Sequence, residues 1–323
     1  MTRRHWHCIA AAALSLLPAW ATAQGTFPSR PVRLIITFTP GALNDMIGRT
    51  LSPRLGEIWG QQVVVDNRPG GGTIIGTELA AHAPADGHTI LLGGFALVVN
   101  PFVYPKLPYD TMKDFAPVSM IASSPYVLVI SPTLPAKSVK EFVAVAKSRP
   151  GQLAYGTTGI GGTSHLMGEM LKSMAGIEVI HVPYKGLAPA LNDLFANQVH
   201  FSFGSWSTVG QHVKTGRLRA IAVTSAKRAQ STPELPTIAE EGYPGYEAIP
   251  WFGILLPAGA PKPLVNRMRG DIVKALASPE VRDRFTAQGV ETAGTTPEEF
   301  AAFMKLELNR WGKIVKQAGV KPE

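Results

Sequence analysis

The sequence is poor in cysteine, in charge and in long apolar runs. Cys8 is the only cysteine among 323 residues, so an internal disulfide framework is excluded. Charged residues make up 17% against 45% hydrophobic, the reverse of the balance that leaves a chain disordered. Beyond the N-terminus the best apolar run, Trp251 to Ala260, is interrupted by Pro257 and falls far short of the ~20 residues a membrane helix needs. Basic clusters are missing too. The formal charge is +8, from 31 Lys+Arg and 23 Asp+Glu, but the cations stand singly or in pairs such as Lys227-Arg228, with acids interleaved as in Arg282-Asp283-Arg284. A nucleic-acid partner needs a concentrated basic surface and is not expected. There is also no phosphate-binding G-x-x-x-x-G-K-[ST], no H-E-x-x-H and no G-x-S-x-G. Neither a cofactor nor a metal is expected.

What is present begins with an export signal. Arg3 and Arg4 precede a short apolar stretch, Ile9 to Trp20, and Ala21-Thr22-Ala23 offers small residues for cleavage before Gln24. Residues 1–23 therefore read as a signal peptide. Its removal takes away Cys8, Arg3 and Arg4, leaving 29 basic and 23 acidic residues, net +6, in a chain of 300 residues. That chain is expected in the periplasm.

The rest alternates between period-two and helical patterns. Val32 to Phe38, Gln62 to Asn67 and His88 to Gly94 read as strands, with helices over 44–58 and up to about His82. Residues 95–117, with Pro101, Pro105, Pro108 and Pro117, read as irregular. A second series follows. Strands are expected at Tyr126 to Ile130, 153–158, 178–184, 199–204 and 219–225, and a last strand near 250–256. Ser138-Val139-Lys140-Glu141 is a capping box, and Thr296-Pro297-Glu298-Glu299 opens a closing helix over 297–318. This alternation predicts an α/β fold with parallel sheets covered on both faces, in two doubly wound lobes joined by hinge strands. The expected division is 24–125 for the first lobe, 126–248 for the second and 249–323 for a return to the first.

In such sheets ligands bind where strands end and helices begin. Two loops hold that position. In Pro40-Gly41-Ala42-Leu43-Asn44-Asp45, Asn44 or Asp45 caps the helix, or the helix amides receive an anion; the sequence leaves both readings open. Gly156 to His165 has the same placement with four glycines and several hydroxyls. Gly70-Gly71-Gly72 reads as a tight turn. Tyr184, Phe95 and Trp251 stand at strand ends, where they wall a pocket or pack in the core. Ser164-His165 is not a catalytic pair, because sequence neighbours seldom point at one another; His165 reads as a helix-start residue bonded to backbone.

The runs Pro31 to Arg49, Val63 to Gly72, Ala85 to Leu91, Leu107 to Asp110, His181 to Gly186 and Leu235 to Glu240 together resemble the Bug-type solute-binding receptors of tripartite tricarboxylate transporters. The resemblance runs in order along essentially the whole chain after residue 23. It implies a type II periplasmic-binding-protein (Venus flytrap) architecture that closes on a small organic acid, acts as a monomer without catalysis, and docks transiently on membrane permease subunits. It places Gly41 and Ala42 in the first ligand loop. From the second loop Gly159, Gly161, Gly162 and Thr163 would grip a carboxylate, with His165 opening the next helix. Gly94, Phe95, Ala96 and Ser205 would border the other end of the ligand. Ala42 stands where the family commonly has a second glycine; its methyl is expected to narrow the backbone angles while its amide is still offered. Phe95 stands where a small polar side chain is frequent, which points to a less polar or aromatic ligand. Two alternatives are kept: a ligand sensor serving a signalling partner, and an exported hydrolase using Ser164 or Ser205.

Overall fold

The computed structural model describes residues 27–320, and the expected export signal lies outside them. The chain first lays down β1 (Val32–Ile36), α1 (Leu43–Trp59), β2 (Val63–Asn67), a 3-10 turn at Gly71–Thr73, α2 (Ile74–Ala81), β3 (Thr89–Gly94), α3 (Ala96–Val103) and β4 (Phe115–Ser123). It then forms β5 (Tyr126–Ile130), α4 (Val139–Ser148), β6 (Leu153–Thr157), α5 (Thr163–Ala175), β7 (Val179–Pro183), α6 (Leu187–Phe195), β8 (Phe201–Ser205), α7 (Trp206–Lys214) and β9 (Arg219–Val223). The last part holds β10 (Trp251–Pro257), α8 (Lys262–Leu276), α9 (Pro279–Ala287), β11 (Glu291–Thr292) and α10 (Pro297–Ala318).

These strands build two sheets, ordered β11-β4-β10-β3-β1-β2 and β7-β6-β8-β5-β9. Each has helices on both faces, as the near-continuous apolar strands require. Leu34 and Ile36 of β1 face the α1–α8 side while Ile35 faces α2 and α10; in β5, Leu128 and Ile130 oppose Val127 and Val129 in the same way. The core between α3, α10 and the first sheet runs on without a break into the second, from Leu91 and Trp311 to Tyr155 and Phe201.

Two expectations are corrected. The sheets are mixed, not parallel: β10 lies antiparallel to β3 and β4, and β5 antiparallel to β8 and β9. A crossover helix forces neighbouring strands to be parallel, but β5 and β10 enter their sheets from the other lobe and escape that constraint. Residues 95–117 are irregular only in part: 104–114 belong to no helix or strand, but α3 and the start of β4 flank them. Pro101 sits inside α3 and cannot bond the Leu97 carbonyl, which instead accepts from the Thr111 hydroxyl at 2.6 Å. The crossings between lobes run side by side, tied by Ser124 N donating to Pro250 O at 2.9 Å.

Candidate functional site

A cavity of about 590 Å³ opens between the two sheets, walled by the loops after β1, β3 and β6, the 3-10 turn and both crossings. Its two principal loops are built alike. Gly41 takes φ +85° and Gly161 φ +72°, conformations an L side chain resists, so glycine is needed at both. The next residues, Ala42 and Gly162, share one extended geometry, at −69°/162° and −68°/163°. Ala42 N donates to Thr39 O at 3.2 Å, and Gly162 N to Gly159 O at 3.3 Å. Gly41 N donates to Asp45 Oδ2 at 2.9 Å, and Gly161 N to His165 Nδ1 at 3.0 Å, so each helix contributes the side chain that fixes its own loop.

This geometry sharpens the donor assignment. The Ala42 amide, expected to be offered to a ligand, is used inside the turn, as are those of Gly41, Gly159, Gly161 and Gly162. At the starts of α1 and α5 the amides of Leu43 to Asp45 and Thr163 to His165 have no acceptor among the described residues. The N-termini of α1 and α5 thus end at one cavity, as do those of α2, α3 and α6, whose N-terminal residues Thr73, Phe95 and Gly186 also line it; a helix N-terminus carries unsatisfied N–H groups and about half a positive charge. Nor does Ala42 strain the backbone, because an alanine sits freely in the extended region.

Among the expected site residues, Ala42, Asn44, Gly94, Phe95, Ala96, Gly161, Gly162 and Thr163 line the cavity. Gly41 and Gly159 shape the loops behind it. The Tyr184 hydroxyl donates to Asp193 Oδ2 at 2.6 Å, and burial together with that carboxylate pushes it up to about 12. Ser205 is the N-terminal residue before α7, its Oγ 3.0 Å from Ser207 Oγ and 2.9 Å from Thr208 Oγ1. The Ser164 hydroxyl accepts from Thr158 N at 3.1 Å.

His165 lies behind the loop, 6% exposed, its ring stacked on His181 at 3.8 Å. Burial, helped by the Lys172 charge, lowers His165 to about 4; burial and the neighbouring His165 do the same to His181. Because Nδ1 accepts the Gly161 amide, the neutral ring carries its proton on Nε2. In the first lobe, burial works to raise Asp45, but Arg49 at 2.9 Å, the Gly41 amide and Asn67 outweigh it and hold the carboxylate below its usual range.

The sequence reading missed Gly72, Thr73, Tyr104 and Tyr126. Gly72 and Thr73 had a visible signal, a third glycine-rich loop between strand and helix. Gly72 has φ +61°, and a side chain there would collide with the Tyr104 hydroxyl. Tyr126 starts the strand after the first crossing, and Trp251 the strand after the second. Among the described residues, the lining holds no Lys, Arg, His, Asp or Glu. No set of three or more metal-ligating side chains is grouped among the described residues, and no helix among them is long and apolar enough to cross a membrane.

Residues 47–320 match the model of the tripartite tricarboxylate transporter family receptor. Protein BugT of Bordetella pertussis is 37% identical over 298 residues, spanning 92% of this chain and 91% of its own. A solved R. palustris protein, Rpa4515 with adipate, superposes with a TM-score of 0.79 at 37% identity, covering 92% of this chain and all of that one. MatC from Rhodopseudomonas palustris, with bound malate, gives 0.74 at 28% identity, covering 90% of this chain and all of that one. With a two-lobed α/β fold, two matched amide loops on one cavity and a family match over most of its length, the chain belongs to the tripartite tricarboxylate transporter receptors, the Bug-type solute-binding proteins.

Proposed function

We propose that this chain is a periplasmic receptor that captures a small organic acid between lobes 24–125 with 249–323 and 126–248, and delivers it to membrane permease subunits. The observation that carries this is the pair of loop–helix starts with matching backbone angles and hydrogen bonds. From both lobes Leu43, Asn44 and Thr163, whose amides have no acceptor among the described residues, line one cavity, and no described residue in that lining is charged. Such donors suit a carboxylate, whose oxygens take several N–H bonds at once. That relatives of similar length and fold were solved with adipate and with malate supports the reading.

Closure exchanges ligand-bound water for amides from both sides and stabilises the closed form by the affinity gained. The lobes already approach closely: a methyl placed on Gly161 would lie 3.6 Å from the Val103 methyls across the cleft. Chemistry beyond binding is not part of the proposal. Ser164 and Ser205, the two candidate nucleophiles, spend their hydroxyls on loop and helix-start contacts and not on a histidine. Export by residues 1–23 and action as a monomer complete the reading.

The test is a thermal-shift and calorimetric screen of the unloaded protein against mono-, di- and tricarboxylates at pH 7.5. At least one carboxylate is expected to raise the melting temperature in a concentration-dependent way. Failure of every carboxylate to do so would sink the amide-loop argument. An esterase activity abolished by Ser164→Ala with Ser205→Ala would favour a hydrolase instead.

A further inference from the structure

Two histidines stand behind the second ligand loop, and neither lines the cavity. His165 on α5 and His181 on β7 lie ring on ring, 3.8 Å apart and 8° from parallel, with Tyr155 of β6 tilted against them. Both imidazoles reach the glycine loop. His165 Nδ1 accepts the Gly161 amide at 3.0 Å. His181 Nε2 lies 2.6 Å from Thr157 Oγ1, and that hydroxyl accepts the Gly159 amide at 3.3 Å. Gly159 O in turn accepts the Gly162 amide, just ahead of α5. One stack thus fixes residues 159–162, and with them the way Thr163 is presented to the cavity.

The first loop is fixed by a charge instead. Its anchor is the Asp45 carboxylate, which accepts the Gly41 amide at 2.9 Å. Burial opposes that charge, but Arg49 at 2.9 Å, the Gly41 amide and Asn67 at 3.0 Å outweigh it and keep the group ionised into acid. The second anchor has no such support. Around the stack, the titratable groups among the described residues are Glu169 and Lys172 on α5, Tyr155 on β6, Glu178 ahead of β7 and Tyr246 on the approach to β10. Phe201 of β8 covers Tyr155, and α10 lines the Glu169–Lys172 corner with Ile314, Gln317 and Ala318. Glu169 Oε1, 4.0 Å from His165 Nε2, already accepts the Tyr155 hydroxyl at 2.7 Å and Lys172 at 3.4 Å. Burial lowers both rings to about 4.

We propose that His165 and His181 are positioning residues for ligand binding: the neutral stack holds the second loop ready for the ligand, and a proton on His165 Nδ1 unlocks that loop and weakens the ligand's hold, while the first lobe keeps its own anchor. This rests on the receptor reading and adds a regulation to it. Attraction between a charged ring and a bound anion works the other way. However, Nδ1 can take the proton only after the Gly161 amide has left it, so the charged ring and the locked loop exclude one another.

Amide NMR spectra of the unloaded full chain between pH 7.5 and 4 read the loops without a ligand. Gly159 and Gly161 are expected to shift together as pH falls toward 4, with Gly41 staying in place, and His165→Asn to abolish the Gly161 shift. Calorimetry with adipate and with malate reads the ligand. Between pH 6.5 and 4 the affinity of the wild type is expected to fall several-fold more than that of His165→Asn, whose acceptor does not titrate. The acid's own ionisation is common to both proteins and cancels in that comparison. At pH 7.5 His165→Leu, without an acceptor, is expected to bind several-fold more weakly than His165→Asn. An unshifted Gly161 in the wild type, parallel pH profiles for wild type and His165→Asn, or a wild type that gains on the variant in acid would overturn the positioning role and leave the receptor standing. If neither acid binds, the carboxylate found by thermal shift takes its place, and failure of every carboxylate at pH 7.5 would overturn the receptor reading and this proposal with it.

Discussion

Replacing His165 by asparagine tests whether a buried neutral imidazole holds the second ligand loop. In the native protein His165 Nδ1 accepts the Gly161 amide at 3.0 Å, and the ring is pressed against His181 at 3.8 Å. Glu169 Oε1 lies 4.0 Å from Nε2, Lys172 reaches the same carboxylate at 3.3 Å, and Tyr155 stacks beyond. A proton on Nδ1 would remove the acceptor and charge a buried ring beside a second imidazole. Burial accordingly lowers His165 from 6.5 to about 4. The sign follows from linkage. The unfolded chain takes up the proton near pH 6.5 and the folded chain resists it, so the stability is fully present above 6.5 and is lost as pH falls toward 4. A shift of that size is worth about 3 kcal/mol. His181 is lowered for related reasons and adds to the trend. Asparagine keeps an acceptor oxygen near the Nδ1 position and does not titrate. Urea unfolding followed by tryptophan fluorescence from pH 7.5 to 4 should show His165→Asn less stable than wild type at pH 7.5. The gap should close by about 3 kcal/mol as pH approaches 4. Parallel curves for the two proteins across that range would refute the argument.

The two halves of the first loop should respond oppositely to substitution. Gly41→Ala meets no neighbour but must hold φ +85°, so it should lower stability by about 1–2 kcal/mol in urea titration, while Ala42→Gly should change it by about 0.5 kcal/mol or less. Behind the cavity, Arg310 donates to Glu247 O at 3.0 Å and to Glu247 Oε2 at 2.9 Å. It also lies 2.8 Å from Glu307 Oε1, close enough for an ion pair but not aligned for a hydrogen bond. Glu307 is 1% exposed and otherwise held by the Trp311 indole at 2.8 Å; burial pushes its carboxyl up. Arg310→Met should therefore cost about 2–4 kcal/mol, and adding Glu307→Gln should recover a good part of it by removing the unpaired charge. A cost below about 0.5 kcal/mol for the single variant would show that the ion pair is solvated in practice.

Where a few adjacent residues decide the backbone, the sequence reads cleanly. Thr296 accepts Glu299 N at 3.2 Å and donates its own N–H to Glu299 Oε2 at 2.8 Å, the reciprocal cap expected of Thr-x-x-Glu, and α10 begins at Pro297. Ser138 realises only half of the same motif. Its hydroxyl accepts Glu141 N, but the Glu141 carboxylate takes the Lys137 amide at 2.7 Å, a choice between adjacent donors that composition does not express. The proline-rich segment misled because its repair is remote: Thr111 satisfies the Leu97 carbonyl from fourteen residues away, which makes α3 tolerable with Pro101 inside it. Strand direction at β5 and β10 was hidden for the same reason, being set by passage between lobes and not by the strands' own residues.

The sequence by itself determined the absence of an internal disulfide framework, the alternating elements, the apolar faces that demand two-sided sheets, and the two glycine loops at strand ends. Those depend on period, turn chemistry and backbone freedom, all local in range. The tertiary structure decided which atoms face the ligand space. Asp45 and His165 each turn back onto a glycine amide, so the loops' own N–H groups are consumed and the first turns of α1 and α5 are left as donors. Folding also carried Tyr104, Tyr126 and Trp251 to one wall from three distant segments. A cavity is a relation between elements far apart in the chain, and only their packing fixes what it contains.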